Sequence, residues 1–268
     1  FIDWGSAPDD AIFYGRQGEL DTLTRWVLAD RCQLITLLGM GGIGKTALSV
    51  RLARQIAATW ERGSGGASGN SIPPSPHPPI PSSPHPPFTH ILWRSLRNAP
   101  SPADLLADLI QSLSRQQERD LPTTLEGRLG RLLHYLRQGR CLVLLDNAES
   151  ILQSGDRTGR YRPGFEGYGE VLRCVAETAH QSCVLVTSRE KPKGLAAFEG
   201  EALSVRSLQL SGLEQTDSRA LFNTKGGFQA TEAQWQALAD RYGGNPLALK
   251  IVASSIRDFF DGDIAQFL

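Results

Sequence analysis

The sequence lacks the features that mark several classes of protein. It has only four cysteines, and no two of them form a C-x-x-C pair or show metal-ligand spacing. Lys and Arg number 28, as do Asp and Glu, so charge gives no reason to expect nucleic acid or an anionic membrane as a partner. No apolar run approaches the roughly 20 residues of a membrane span, and no signal peptide opens the chain. We therefore expect a cytoplasmic protein with reduced thiols.

Methionine is almost absent, and the single one is Met40. Phe1 is therefore not an initiator residue, and we expect the chain to be a piece of a longer protein. Its 268 residues, of which 40% are hydrophobic, can bury one large core or two modest ones.

Five short apolar runs predict strands that are buried on both faces. They cover residues 33–38, 90–94, 141–146, 183–187 and 202–205. Segments with helical periodicity lie between or beside them, at about 46–60, 102–117, 125–138, 166–179 and 191–198. Strands that alternate with helices in this way predict right-handed crossovers and a parallel α/β sheet.

The pattern changes near residue 211. Residues 1–210 carry the strands, whereas residues 211–268 show only helices, near 213–223, 231–242, 246–260 and from 263. We therefore expect an α/β domain followed by a small all-helical subdomain. Residues 62–88 interrupt the α/β part and hold nine of the sixteen prolines. Such a composition favours extended, unpacked backbone, either as a tolerated surface insertion or as a ligand for a proline-recognising partner.

The segment after the first predicted strand matches the P-loop pattern G-x-x-x-x-G-K-[ST]. It reads Gly39, Met40, Gly41, Gly42, Ile43, Gly44, Lys45 and Thr46, and Ala47 follows. Its glycines let backbone N–H groups turn inward around phosphate oxygens, and the next helix presents its positive end to the anion. Lys45 is expected to reach the β- and γ-phosphates, and the Thr46 hydroxyl is expected to bind Mg²⁺.

An acidic residue directly after a buried strand gives a second chemical signal. Asp146 ends the run 141–146, where a Walker-B aspartate would hold Mg²⁺. Asn147 follows, and its amide cannot act as a general base. Glu149 can accept a proton, so it either orients a water molecule or is an ordinary exposed loop acid.

Further polar residues follow other predicted elements. Arg189 comes just after the run 183–187, beyond the carboxyl end of a strand, where ligands of parallel sheets gather. It either binds a γ-phosphate through two hydrogen bonds or is a solvated arginine.

In residues 155–168, one of Arg157, Arg160 or Arg162 reaches a neighbouring protomer's nucleotide, or the segment is an ordinary loop. Asn245 and Pro246 fit the N-cap and first position of a helix.

Taken together, these motifs resemble the NB-ARC domains of STAND signalling ATPases. The sequence is especially similar to cyanobacterial proteins that join such a domain to WD-repeat propellers. The resemblance covers nearly the whole chain outside residues 62–88. It rests on five segments in family order, namely Phe13-Tyr14-Gly15-Arg16 and residues 39–46, 141–147, 187–189 and 244–247.

This resemblance implies a P-loop NTPase fold with a five-stranded parallel sheet of order 5-1-4-3-2. The strand before Arg189 would then lie between the strands of the P-loop and of Asp146, and residues 211–268 would form an ARC1-like subdomain. The implied cofactors are ADP or ATP with Mg²⁺, held by Thr46 and Asp146. The implied adenine contacts are Phe13, Tyr14, Gly15 and Arg16 on one side, and Pro246 with Leu247 on the other.

The resemblance also implies a function. Lys45, Asp146, Glu149 and Arg189 would serve a slow ATPase whose nucleotide state controls conformation and assembly, through self-association or other domains of the full-length protein. We expect the chain, which ends at Leu268, to bind nucleotide without the family's winged-helix latch. Family members often carry a second acid where this chain has Asn147. A nucleotide-stabilised scaffold without turnover and a constitutive P-loop ATPase or kinase therefore remain alternatives.

Overall fold

The computed structural model of the chain describes residues 1–9, 13–64, 88–156 and 158–268. The proline-rich segment predicted at 62–88 lies outside these residues except at its two ends, and Arg157 lies outside them as well.

A six-stranded parallel sheet forms the centre of the fold. The order of the strands across it is β1-β3-β4-β5-β2-β6. Their bounds are β1 (Ile2–Asp3), β2 (Leu34–Leu38), β3 (His90–Ser95), β4 (Cys141–Asp146), β5 (Cys183–Ser188) and β6 (Val205–Gln209). Because β5 lies between β4 and β2, the residues that end these three strands meet at one edge of the sheet, as the resemblance implied.

The predicted sheet of five strands was wrong in number, and the order of the whole sheet therefore differs from 5-1-4-3-2. The additional strand is β1, which pairs with Ile91 and Leu92 of β3 at one edge. Its two residues are too few to produce an apolar run. The final strand was also misplaced, because β6 is an edge strand in which only Val205 is buried, so it lacks the continuous apolar pattern of the central strands.

Among the described residues, five helices flank the sheet. They are α1 (Gln17–Leu28), α2 (Lys45–Ser64), α3 (Pro102–Leu113), α4 (Leu125–Gln138) and α5 (Gly167–Glu177). One core joins α1 and α2 to one face of the sheet, and a second core joins α3, α4 and α5 to the other. The helix predicted at 191–198 is only a short 3-10 turn, Leu195–Phe198, because Gly194 before it adopts a left-handed φ of 97°.

In the described range 158–268, four helices follow the sheet, namely α6 (Gln215–Asn223), α7 (Glu232–Tyr242), α8 (Pro246–Phe260) and α9 (Ile264–Phe267). They share a third hydrophobic cluster, which is separate from the two cores of the sheet. Phe222 is fully buried in it and meets Trp235 edge-on, with ring centroids 5.2 Å apart. These helices are called the C-terminal helices below.

Candidate nucleotide-binding site

The P-loop connects β2 to α2 and has the strand–loop–helix setting that its sequence predicted. Gly42 and Gly44 adopt left-handed φ angles of 77° and 102°, which glycine tolerates without strain. Lys45 is the first residue of α2, and its ammonium donates to the carbonyls of Gly39 at 2.7 Å and Met40 at 3.1 Å. Burial lowers the pKa of this ammonium. The lysine charge is thus folded over the loop, beside the position a phosphate would take.

The two predicted magnesium ligands lie side by side. The Thr46 hydroxyl donates to Asp146 Oδ1 at 2.8 Å and Oδ2 at 3.0 Å, although the residues are a hundred positions apart. Adjacent oxygen ligands of an octahedral Mg²⁺, with bonds of about 2.1 Å, lie about 3 Å apart. The pair therefore fits two adjacent positions of such an ion. Among the described residues, no group of three or more His, Cys, Asp or Glu residues could hold a metal, so phosphate and water would have to complete the shell.

A network of hydrogen bonds fixes the Asp146 carboxylate. Thr187, at the end of β5, donates to Asp146 Oδ1 at 2.6 Å and accepts from the backbone N–H of Asn147 at 3.0 Å. The Asn147 side chain donates to Asp146 Oδ2 at 3.1 Å. Burial raises the pKa of Asp146, while the hydrogen bonds from Thr187 and Thr46 oppose the increase. Asn147 therefore orients the aspartate and offers no base.

Glu149 and Arg189 form an ion pair beside the P-loop. Arg189 Nε lies 3.3 Å from Glu149 Oε1, and the other carboxylate oxygen, Oε2, is buried without a hydrogen-bond partner in the described part of the chain. Arg189 also lies against the loop, since a Cβ built on Gly41 would be 2.9 Å from its Nη2. The structure thus brings both residues beside the P-loop, where the Arg189 side chain is 58% exposed and that of Glu149 is 19% exposed.

A cavity of about 150 Å³ lies between the P-loop and the C-terminal helices. Most of its lining is apolar, and five of the six predicted adenine contacts belong to it, namely Phe13, Tyr14, Arg16, Pro246 and Leu247. Other lining residues are Gly42, Ile43, Gly44, Ala47, Leu213, Leu221 and Lys250. Gly15 does not line it; a Cβ there would lie 2.2 Å from Asp217 Oδ2 of α6. Met40 is 71% exposed and does not line the cavity.

Arg16 is buried, lines the cavity and also connects three segments of the chain by hydrogen bonds. Its Nη1 donates to Glu19 at 2.7 Å, and its Nη2 donates to the carbonyls of Ile43 at 3.1 Å and Ser211 at 2.6 Å. One guanidinium therefore joins the start of α1, the P-loop and the segment that leads into the C-terminal helices.

The two described arginines of the 155–168 loop have partners within the chain. Arg162 donates to the carbonyl of Ser150 at 2.8 Å and lies over the ring of Phe165. Arg160 approaches Asp156 at 3.7 Å, and its side chain is 63% exposed. Both arginines nevertheless remain exposed at the surface.

Sequence reasoning missed the contributions of four residues that the fold brings to the site. Thr187 holds the aspartate, while Leu213, Leu221 and Lys250 line the cavity from the C-terminal helices and the segment before them. Lys250 follows Pro246 by four positions, so helical spacing from the proline could have indicated it. Thr187 lies in one of the five segments that carry the resemblance, but its bond to Asp146 depends on the register of β4 and β5, and the places of Leu213 and Leu221 depend on chain packing.

This chain is similar to part of a longer curated protein and to several solved structures. No family model matches the sequence. A WD repeat-containing protein of the cyanobacterium Nostoc sp. is 60% identical over 266 residues, which is 99% of this chain but only 20% of that protein. The chain is therefore a homologue of part of it and spans about a fifth of its length.

Solved structures show the same fold at low identity. A signal transduction ATPase with numerous domains (STAND) and a tetratricopeptide repeat sensor, from Pyrococcus horikoshii, has a TM-score of 0.59 at 17% identity, over 99% of this chain and 34% of its own. The ORC1 protein of Aeropyrum pernix, solved with DNA, gives 0.54 at 16% identity over 94% and 62%. The Drosophila ORC, bound to DNA, gives 0.56 at 14% over 96% and 59%. The chain thus has the α/β fold of P-loop ATPases.

No helix in the described ranges is long and apolar enough to cross a membrane.

Proposed function

We propose that this chain is an adenine-nucleotide switch of the STAND class with an NB-ARC type of site. The observation that carries the proposal is the cavity between the P-loop and the C-terminal helices. A nucleotide there would contact both parts of the fold at once. ADP and ATP would then favour different arrangements of the C-terminal helices, because they differ in their contacts at the γ-phosphate.

Each part of the site has a chemical task in this proposal. The P-loop amides and the start of α2 bind the α- and β-phosphates, and Lys45 spans the β- and γ-phosphates. Mg²⁺, when bound by Thr46 and Asp146, would neutralise phosphate charge. The apolar lining formed by Tyr14 and Pro246 accepts the adenine ring.

Arg189 is proposed to detect the γ-phosphate. Its guanidinium lies beside Gly41 and is already paired with a carboxylate, that of Glu149, so a phosphate oxygen can compete for it. The proposal therefore exchanges one anionic partner of Arg189 for another when ATP replaces ADP. Glu149, released by this exchange, is the residue we propose to orient an attacking water, with turnover below about 1 s⁻¹.

The wider role of the switch lies in the rest of the protein. The Nostoc relative is named for WD repeats, and this chain corresponds to about a fifth of its length. We propose that the nucleotide state controls how such further domains assemble, by self-association or by contacts within the full-length protein.

The decisive experiment measures nucleotide in the purified chain. We expect chromatography of the denatured protein to recover ADP in near-stoichiometric amount from wild type and almost none from Lys45→Ala. Lys193→Ala is the matched control, because Lys193 is an exposed lysine that does not line the cavity. If wild type yields no nucleotide and binds neither ADP nor ATP on titration, the proposal is refuted.

A second assay separates the switch from its alternatives. Single-turnover release of phosphate is expected to be slow in wild type and slower still in Glu149→Gln, with Glu201→Gln as an exposed control. Turnover well above about 1 s⁻¹ would favour a constitutive ATPase or kinase. No release at all, with no effect of Glu149→Gln, would favour a scaffold without turnover.

A further inference from the structure

Asn245 makes a contact that its role as a helix cap does not require. Its Oδ1 accepts from the backbone N–H groups of Leu247 at 3.1 Å and Ala248 at 3.2 Å, as the N-cap of α8. Its Nδ2 donates to the carbonyl of Gly41 in the P-loop at 2.9 Å. Only one orientation of the amide satisfies all three bonds. One side chain, 9% exposed, thus joins the first turn of α8 to the phosphate loop.

The backbone of α8 reinforces this contact. The N–H of Leu247 also approaches the carbonyl of Gly42, at 3.3 Å. A Cβ added to Gly42 would lie 2.7 Å from Leu247 Cβ and 3.0 Å from Asn245 Oδ1. The P-loop therefore packs closely against the first turn of α8. Glycine is needed at position 42 for this close approach as well as for its φ angle.

We propose that Asn245 is a positioning residue that transmits occupancy of the P-loop to α8. The peptide whose carbonyl Asn245 binds carries the N–H of Gly42 on its opposite side, and the peptide with the Gly42 carbonyl carries the N–H of Ile43. In a P-loop such N–H groups bind phosphate oxygens. A phosphate that accepts from them polarises the same peptides and strengthens their carbonyls as acceptors.

The consequence is reciprocal coupling. Phosphate bound in the loop favours docking of α8 on the P-loop, and a docked α8 in turn raises the affinity for phosphate by the same factor. This inference rests on the proposed nucleotide site and adds the path by which the C-terminal helices respond to it. Asn245 and Gly41 are not among the residues that line the cavity, so the hydrogen bond between them need not touch the nucleotide.

The test compares substitutions that keep the cap and remove the donor. Serine caps helices about as well as asparagine, but its short side chain carries no amide to reach Gly41. We expect Asn245→Ser to bind ADP roughly fivefold more weakly by calorimetry, which corresponds to about 1 kcal/mol for one hydrogen bond. Asn245→Asp retains the cap acceptor and also loses the donor, and is expected to bind at least as weakly as Asn245→Ser.

A matched control removes a cap elsewhere. The Thr231 side chain accepts from the backbone N–H of Gln234 as the N-cap of α7, which does not line the cavity. Thr231→Ala is expected to lower the melting temperature while leaving ADP affinity unchanged. A general loosening of the C-terminal helices would weaken ADP binding in both variants, and that result would overturn the specific role of Asn245.

Hydrogen exchange supplies a readout that a merely structural role would not change. ADP is expected to slow exchange of the amides in the first turns of α8 in wild type, and to slow it less in Asn245→Ser. Unchanged ADP affinity and unchanged protection in both variants at position 245 would overturn the inference while leaving the nucleotide site intact. Failure of wild type to bind nucleotide would instead refute the proposed function, and the inference with it.

Discussion

Two buried threonines on neighbouring strands allow one substitution to be tested twice, with opposite expected outcomes. Thr187 on β5 donates to Asp146 at 2.6 Å and accepts from the backbone of Asn147 at 3.0 Å. Thr36 on β2 is fully buried as well, but its hydroxyl has no hydrogen-bond partner in the described part of the protein. Valine keeps the branched shape and the strand preference of threonine, so only the hydroxyl changes.

The structure gives the expected sizes. Thr187→Val removes a hydrogen bond to a charged acceptor, worth about 1.5–3 kcal/mol, and leaves the N–H of Asn147 without its partner, at about 1–3 kcal/mol. We therefore expect the free energy of unfolding to fall by about 2.5–6 kcal/mol. Thr36→Val removes a buried hydroxyl that gains nothing in return, so we expect no change or a gain of about 1 kcal/mol.

Thermal unfolding without nucleotide or Mg²⁺ measures both effects. For a chain of this size, 1 kcal/mol moves the melting temperature by about 2–4 °C, so Thr187→Val should melt several degrees below wild type. Thr36→Val should melt at or above it. Equal shifts in the two variants would refute the reasoning, because they would show that the network around Asp146 contributes nothing beyond shape. When Mg²⁺ is added together with nucleotide, the rise in melting temperature that Mg²⁺ causes should be smaller than in wild type for Thr187→Val only.

Two further predictions concern single positions. Gly42→Ala should weaken ADP binding and destabilise the chain, because its Cβ would lie 2.7 Å from Leu247 Cβ at a φ of 77°. Calorimetry measures the ADP affinity, and thermal unfolding measures the stability. Gly130→Ala is the control, because a Cβ at this helical position would meet no other atom. Burial, with nearby positive charge, lowers the pKa of His90 to about 4. His90 therefore stays neutral in the folded state at pH values where the unfolded chain, with a pKa near 6.5, already binds a proton. Its contribution to the free energy of unfolding is fully present above about pH 6.5 and is lost as the pH falls toward 4. Denaturant titrations should show a smaller acid loss in His90→Gln, and an equal loss would contradict this assignment.

Features fixed by local chemistry were predictable from the sequence. The P-loop glycines, the start of α2 at Lys45 and the cap of α8 at Asn245 each depend on residues within a few positions of one another. The central strands were equally visible, because burial on both faces leaves a continuous apolar run. The edge strand β6 was misplaced because no strand of the described residues pairs with its second side, which allows Arg206 and Ser207 to interrupt that run.

Contacts that depend on register between distant segments could not be predicted. Thr187 reaches Asp146 only because β5 lies beside β4, and Arg16 reaches Ser211 only because the chain returns to the P-loop after β6. Thr187 belongs to a segment that carries the resemblance and Thr36 does not, but neither local sequence shows which hydroxyl has a hydrogen-bond partner. The difference in hydrogen bonding between these two threonines is a property of the assembled sheet.

Asn245 shows a subtler limit. Helix capping fully explains an asparagine before Pro246. The sequence around it therefore does not indicate a second role. Serine, aspartate and threonine would satisfy the cap as well, but only asparagine offers an acceptor to the helix and an amide donor to Gly41 at once. The choice among residues that satisfy the same local rule can therefore carry the functional information, and the P-loop contact gives a physical reason for asparagine at this position.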